Sequence, residues 1–265
     1  MLRFIHVSDT HIRLTPNPAW QPSPLQPTET LMQIIRAIQA LPFQPDFILH
    51  TGDVCDNDAS EAEYLWVVDR ISEIPIPTYF LVGNHDNRRL LKQAIGMNDD
   101  DAPHDFVFTC GEIVVIAMDT QDRSLPHPRG GLSAEQLVWL QHQLAVTSPA
   151  RVIVALHHHV LAVGIPALDT AALVNGERLH DLLRHVSTRI AGVFCGHIHQ
   201  HMHVQREGLL YSAAPGAYFQ YQALPGDANA RLDPYPTFGF SVVTVTQHQT
   251  FVRPIYFDAH NGTNR

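Results

Sequence analysis

Cysteine is scarce: the 265 residues contain three, Cys55, Cys110 and Cys195. An odd set in or beside apolar strand-like runs excludes a disulfide framework and suits reduced, buried thiols, so a cytoplasmic location is expected. Charge is scarce as well, at 16% of residues against 45% hydrophobic, which leaves enough apolar side chains for one substantial core. A single domain over residues 1–265 is expected, with the part from about 204 supplying late strands and either a lid or an oligomer contact. No apolar run approaches the roughly 20 residues that cross a bilayer, and "MLRFIHVSDTH" reaches Asp9 without a basic stretch followed by an apolar one. Neither a membrane nor export is therefore expected. Lys and Arg number 17 against 26 Asp and Glu, a net charge of −9, and no basic cluster offers a stripe for phosphates to follow. A nucleic-acid polymer is excluded as partner on that ground. There is no internal repeat and no low-complexity tract.

Histidine is in excess, with 18 residues, and its placement carries information. The chain repeats one phrase: an apolar β-rich run, a polar cluster, then a segment of helical period, which is an alternating β/α order. Phe4 to Val7 runs into "SDTH", Phe47 to His50 into "TGDVCD", Thr78 to Val82 into "GNHD", Val152 to Leu156 into "HHH", and Ile190 to Cys195 into "GHIHQH". Helices are predicted after Thr28 on Leu31, Ile34, Ile35 and Ile38. Two more are predicted behind capping boxes: Ser60 with Glu63, before Tyr64, Leu65 and Val68, and Ser133 with Gln136, before Leu137 and Leu140. Phe106 to Thr109 with Ile113 to Met118, and Phe238 to Thr246 with Thr250 to Tyr256, read as antiparallel hairpins. The fold class is α/β, with two packed mixed sheets and helices outside them. Prolines 16, 18, 22, 24 and 27 forbid regular structure over 14–28, and this stiff loop either walls the site or is a surface excursion. The 222–236 stretch is irregular too.

Carboxyl ends of parallel strands converge on one edge, so the clusters are expected to meet. Together they offer Asp9, His11, Asp53, Asn84, His157, His197 and His199, hard oxygen with borderline nitrogen donors, which suits Mn, Fe or Zn better than Ca or Mg. In "SDTH" and "GHIH" the donors lie two apart, so on an extended backbone both face one side. Seven donors exceed what one tetrahedral ion takes; two ions about 3.5–4 Å apart that share a carboxylate use all of them.

These blocks resemble the calcineurin-like metallophosphoesterases, whose pattern is DxH, GDxxD, GNH(D/E), a later His, then GHxH. Here they stand in order as "DTH" at Asp9, "GDVCD" at Gly52, "GNHD" at Gly83, "HHH" at His157 and "GHIH" at Gly196, within about Phe4 to His203. "SDTH", "GLSAEQLVWL", "LHHHVLAVG" and "GHIHQ" look most like the class III cyclic-nucleotide phosphodiesterases, with Val160 where that subgroup usually has proline. The resemblance implies a four-layer αββα sandwich. It implies one ion held by Asp9, His11, Asp53 and His199 and another by Asp53, Asn84, His157 and His197, with Mn or Fe expected and Zn as the alternative. It implies His85 and Asp56 as the catalytic pair, with Asn84 and His85 toward the substrate, and a homodimer. His158 and His159 read either as support for the substrate or for the ligands from behind, or as a solvated loop. The competing reading of Asp56 is an Asx turn; His201 and His203 read as strand residues.

In-line attack by a metal-bridging hydroxide on a small anionic phosphodiester, a 3′,5′-cyclic nucleotide by the subgroup resemblance, is the expected reaction. Glycerophosphodiesters and phosphomonoesters are the alternatives within hydrolases, since metal ligands specify phosphorus and not what is attached to it. A non-catalytic interaction module on the same fold is the reading from another class.

Overall fold

The computed structural model describes residues 1–98 and 100–260. In chain order the elements are β1 (Leu2–Val7), α1 (Pro27–Gln39), β2 (Phe47–His50), α2 (Glu61–Ile71), β3 (Thr78–Phe80), α3 (Arg88–Ala94), β4 (Phe106–Cys110), β5 (Ile113–Met118), α4 (Ala134–Val146) and β6 (Arg151–Leu156). They continue with α5 (Pro166–Asp169), α6 (Gly176–Arg184), β7 (Ile190–Cys195), β8 (Met202–Arg206), β9 (Leu209–Ala213), β10 (Tyr221–Gln222), β11 (Arg231–Leu232), β12 (Thr237–Val245) and β13 (Thr250–Asp258).

Two mixed sheets stack on each other. One has the order β13-β12-β1-β2-β3 and the other β4-β5-β6-β7-β9-β8, while β10 and β11 form a separate ribbon. β1, β2 and β3 run parallel, as do β5, β6 and β7, and the antiparallel partners lie toward the edges. The strands are apolar on both faces because both faces are covered. Leu2, Phe4, Phe47 and Leu49 meet Val115, Ala117, Ile153 and Phe194 between the sheets. Phe4 stacks on Phe47 at 4.9 Å and meets Phe194 edge-on at 5.2 Å, geometries that add to simple area burial. On the outer faces, Ile5 and Val7 pack with α1 and α2, and Val152 and Val154 with α4 and α6. The layers are therefore helix, sheet, sheet, helix, as expected.

Local chemistry explains the helix starts. Ser60 and Glu63 form the predicted box, Glu63 accepting from the Ser60 N–H at 2.7 Å; Ser133 and Gln136 repeat it at α4. α1 begins earlier than expected: Gln26 caps it and Pro27 is its first residue, where the missing N–H costs nothing. Pro27 and Thr28 thus belong to the helix and not to the irregular loop. On α2 the buried face is Tyr64, Val67 and Ile71, and Leu65 is exposed, because it sits about 100° around the helix from Tyr64. The short helices α3 and α5, and α6 with its buried Leu179 and Leu183, add to the elements expected from the sequence. His203 lies on β8 and His201 just before it.

The three cysteines are free, Cys55 and Cys195 buried and Cys110 half-buried. Among the described residues no helix is long and apolar enough to cross a membrane.

Candidate metal centre

The loops that follow β1, β2, β3, β6 and β7 meet at one edge of the stacked sheets, and backbone hydrogen bonds lace them together. Asp9 N–H donates to Gly52 O and His11 N–H to Asp53 O, both at 3.0 Å, and Gly196 N–H donates to His157 O at 3.1 Å. Carboxylates join the lacing: Asp53 Oδ1 accepts from His85 N–H at 2.9 Å and Asp9 Oδ1 from His197 N–H at 3.0 Å. The expectation of an extended backbone at "SDTH" and "GHIH" is corrected here. Asp9, His11, Asp53, His197 and His199 have φ of 58°, 44°, 51°, 73° and 48°. Each occupies the left-handed region, which costs a side chain with a Cβ about 1–2 kcal/mol or more. The chain turns back sharply at the strand ends, and the same turn that strains these residues aims their side chains inward.

All seven predicted donors are brought together. One atom each of Asp9, His11, Asp53 and His199 lie within 4.8 Å of one another, with His11 Nε2 3.1 Å from His199 Nε2 and 3.7 Å from Asp53 Oδ2. Beside them, His157 Nε2 lies 2.9 Å from Asn84 Oδ1, 3.2 Å from His197 Nδ1 and 3.3 Å from Asp53 Oδ2. Asp53 thus faces both groups.

Carbonyl groups behind the rings fix which nitrogen looks inward. His157 Nδ1 donates to Thr51 O at 2.8 Å, His199 Nδ1 to Phe219 O at 3.1 Å, and His197 Nε2 to Ala171 O at 3.1 Å. The opposite nitrogens then carry lone pairs into the cluster, the arrangement that orients metal-ligating histidines. Two lone pairs 3.2 Å apart, as on His157 and His197, are tolerated only with a proton or a cation between them. Metal-to-ligand bonds of about 2.0–2.2 Å place neighbouring ligands about 3 Å apart, so the spacing fits bound divalent ions. Sequence reasoning missed these carbonyls, since any residue supplies one.

Electrostatics agree with the donor set. Burial, the largest influence on each of His11, His197 and His199, lowers their pKa values and keeps the rings neutral. Burial would raise Asp53, but His157 and His85 outweigh it and hold the carboxyl well below the usual range. Burial would lower His157, yet Asp53 outweighs it and lifts it to about 9.

Two motif glycines are explained by crowding. A Cβ on Gly83 would sit 2.1 Å from Asp53 Oδ1, and one on Gly196 1.8 Å from Ser8 Oγ and 2.7 Å from Asp9 Oδ2. Gly83→Ala is expected to displace Asp53 and weaken metal retention about tenfold or more, read as bound metal per chain after dialysis against graded chelator, while the far-ultraviolet circular dichroism stays native. Unchanged retention would refute the crowding argument.

His85 is half-buried at the rim of the cluster, with Nδ1 3.6 Å from Asp56 Oδ1, an ion-pair distance longer than a hydrogen bond. Burial lowers its pKa most strongly, but Asp53 and Asp56 outweigh this and the net shift is upward. Asp56, which burial alone would raise, is drawn down to about 2 chiefly by its interaction with His85. Its other oxygen accepts from Arg13 Nε at 3.2 Å, and Oδ1 also accepts from the Asn57 N–H. Arg13 is a partner that the motif does not reveal. So is Asp86, the last letter of "GNHD", whose carboxylate ties both loops by accepting from Val54, Cys55 and Gly83 N–H and from the Tyr64 hydroxyl.

His158 requires a correction. It is fully buried, Nε2 donating to Pro128 O at 3.1 Å and Nδ1 accepting from the Thr120 hydroxyl at 2.7 Å. Although its ring lies with His157 and His197, no nitrogen is left for a substrate or an ion, because the residue next along the loop is turned into the interior. His159 is buried as well and neither ring nitrogen has a partner among the described residues.

The cleft beside the cluster has two lobes, each of about 390 Å³, with His85 in both. One is lined by Gln121, Arg123, His127 and Arg129, the other by Trp20, Phe219 and Tyr221. The proline-rich loop therefore walls the site, through Trp20 and Asn17.

Comparison with known proteins agrees with this geometry. The family model described as calcineurin-like phosphoesterase matches residues 2–201. A Vibrio vulnificus protein named 3′,5′-cyclic adenosine monophosphate phosphodiesterase CpdA is 26% identical over 226 residues, 85% of this chain and 80% of its own. A protein of Arcobacter nitrofigilis named probable glycerophosphodiester phosphodiesterase GpdQ is 32% identical over 200 residues, 74% of this chain and 71% of its own. In fold, a dimetal phosphatase from Danio rerio superposes with a TM-score of 0.71 at 13% identity, covering 96% of this chain and 95% of that one. The chain belongs to the calcineurin-like phosphoesterase family, whose members are metal-dependent phosphoester hydrolases.

Proposed function

We propose that the chain is a phosphodiesterase with a pair of metal ions, acting on a small phosphodiester and by preference on a 3′,5′-cyclic nucleotide. One ion would be held by Asp9, His11, Asp53 and His199, the other by Asp53, Asn84, His157 and His197. The observation that carries the reading is the convergence of inward-facing imidazole lone pairs around one shared carboxylate, Asp53, with His11, His199 and Asn84 lining the cleft. Mn or Fe is the expected occupant, with Zn as the alternative. When bound, such a pair supplies Lewis acidity and an activated water at neutral pH.

The remaining steps belong to the chain's own groups. His85 stands at the rim beside Asp56, placed to give a ring proton to a leaving oxygen. Asp56 steadies the imidazolium and is itself anchored by Arg13. Asn84 adds a neutral oxygen to the second site and leaves the local positive charge undiminished. The relative named as a cyclic AMP phosphodiesterase supports the preferred substrate. The relative named as a probable glycerophosphodiester phosphodiesterase supports the second reading, a glycerophosphodiester. Cys55 and Cys195 as buried thiols fit work in the reducing cytoplasm.

A panel of 3′,5′-cyclic nucleotides, glycerophosphodiesters and phosphomonoesters, assayed on Mn-loaded protein, tests the reading. Bis(p-nitrophenyl) phosphate is expected to give a kcat/KM about tenfold or more above p-nitrophenyl phosphate. The reverse order would make the chain a phosphomonoesterase.

A further inference from the structure

We propose that Trp20, Phe219 and Tyr221 form a stacking wall that takes the nucleobase of the substrate, with Trp20 as a specificity-determining residue. This rests on the cyclic-nucleotide reading above. Trp20 is 46% exposed, and it stands on a loop stiffened by Pro16, Pro18, Pro22 and Pro24. A large indole held out by a stiff loop gains nothing from the core. It does face Phe219, edge-on at 6.1 Å. Phe219 in turn stacks on His199 at 4.1 Å and 23° and lies 5.6 Å from His11, and Tyr221 meets His199 at 5.3 Å. The aromatic surface is thus continuous from the rim of the cleft to two of the proposed metal ligands.

The lobe's volume of about 390 Å³ is within the range of small-molecule pockets. Aromatic walls also take quaternary ammonium groups, and with Asp56 and Asp58 beside Arg13 in the same lobe the choice between the two rests on hydrogen bonding. Asn17 and Asn57 line it as well, and an amide presents the paired donor and acceptor that the edge of a base requires. The chemistry favours a neutral heteroaromatic ring.

The test compares Trp20→Leu and Trp20→Phe with the parent protein, all Mn-loaded. The ratio of kcat/KM for 3′,5′-cyclic AMP to that for glycerophosphoethanolamine is expected to fall about 10–100-fold in Trp20→Leu and to survive in Trp20→Phe, since stacking on one base contributes on that scale. Calorimetry adds a readout independent of turnover: 5′-AMP is expected to bind the parent about 10–100-fold more tightly than ribose 5-phosphate, and Trp20→Leu to lose that preference. An unchanged ratio with unchanged AMP preference overturns the wall. A loss confined to glycerophosphoethanolamine overturns it in favour of an ammonium site. If cyclic AMP is not hydrolysed but AMP discrimination follows Trp20, the functional reading fails and the base subsite stands. If cyclic AMP is hydrolysed and AMP discrimination is absent, the functional reading stands and the base subsite fails.

Discussion

Asp53→Asn is expected to lose metal and hydrolysis together, with turnover at the buffer background. Asp53 Oδ2 lies 3.3 Å from His157 Nε2 and 3.7 Å from His11 Nε2, so this carboxylate faces both donor groups. The change keeps shape and removes charge, which leaves one ion with Asp9 as its only charged ligand and the other with neutral donors alone, so little offsets their dehydration. Metal analysis of the purified variant gives the direct readout. A second readout is thermal: a ligand at about 100 times its dissociation constant stabilises the native state by about 2.7 kcal/mol. Chelator should therefore lower the melting temperature of the parent by several degrees and leave that of Asp53→Asn unmoved. Two ions retained per chain in the variant would end the proposal that Asp53 is their shared ligand.

His85→Ala should behave in the opposite way, keeping both ions while kcat falls about 10²–10⁴-fold, the usual contribution of a positioned acid or base. His85 stands beside the donors, its ring 4.8 Å from that of His11, and its backbone N–H already serves Asp53, an interaction that alanine retains. If the ring protonates the departing oxygen, the loss depends on the leaving group: large for an alkoxide such as ribose 3′-oxygen, small for p-nitrophenolate, which leaves without help. Equal losses on both would assign His85 to binding of the phosphoryl group and remove it from proton transfer.

The local pattern in the sequence is enough to place strands, capped helices and the order of ligand clusters. Alternation of apolar runs with polar endings depends on neighbours a few residues away, and Ser60 with Glu63 or Ser133 with Gln136 carry their own cap chemistry. Where a side chain's fate depends on distant packing, local reading fails. "HHH" at His157 illustrates this: three identical letters become an inward-facing donor, a ring with both nitrogens taken by Thr120 and Pro128, and a buried ring without partners among the described residues. Leu65 looks like core in the sequence and is exposed, because the sheet meets the side of α2 that carries Tyr64 and Val67. The donors two residues apart do share a side, but through left-handed φ angles at Asp9, His11, His197 and His199, a conformation that local propensity disfavours and the crossing loops impose.

By itself, then, the sequence determined the chemical inventory and its order: hard and borderline donors at the ends of five apolar runs, glycines beside them, and a family pattern spanning them. Tertiary structure alone decided how that inventory is used. It chose the inward nitrogen of each histidine through the carbonyls of Thr51, Ala171 and Phe219. It also brought the proline-rich loop against the segment around Phe219 to line one lobe. The reason is physical: donor identity is a property of a residue, whereas a lone pair's direction and a cleft's walls are set by contacts between segments far apart along the chain.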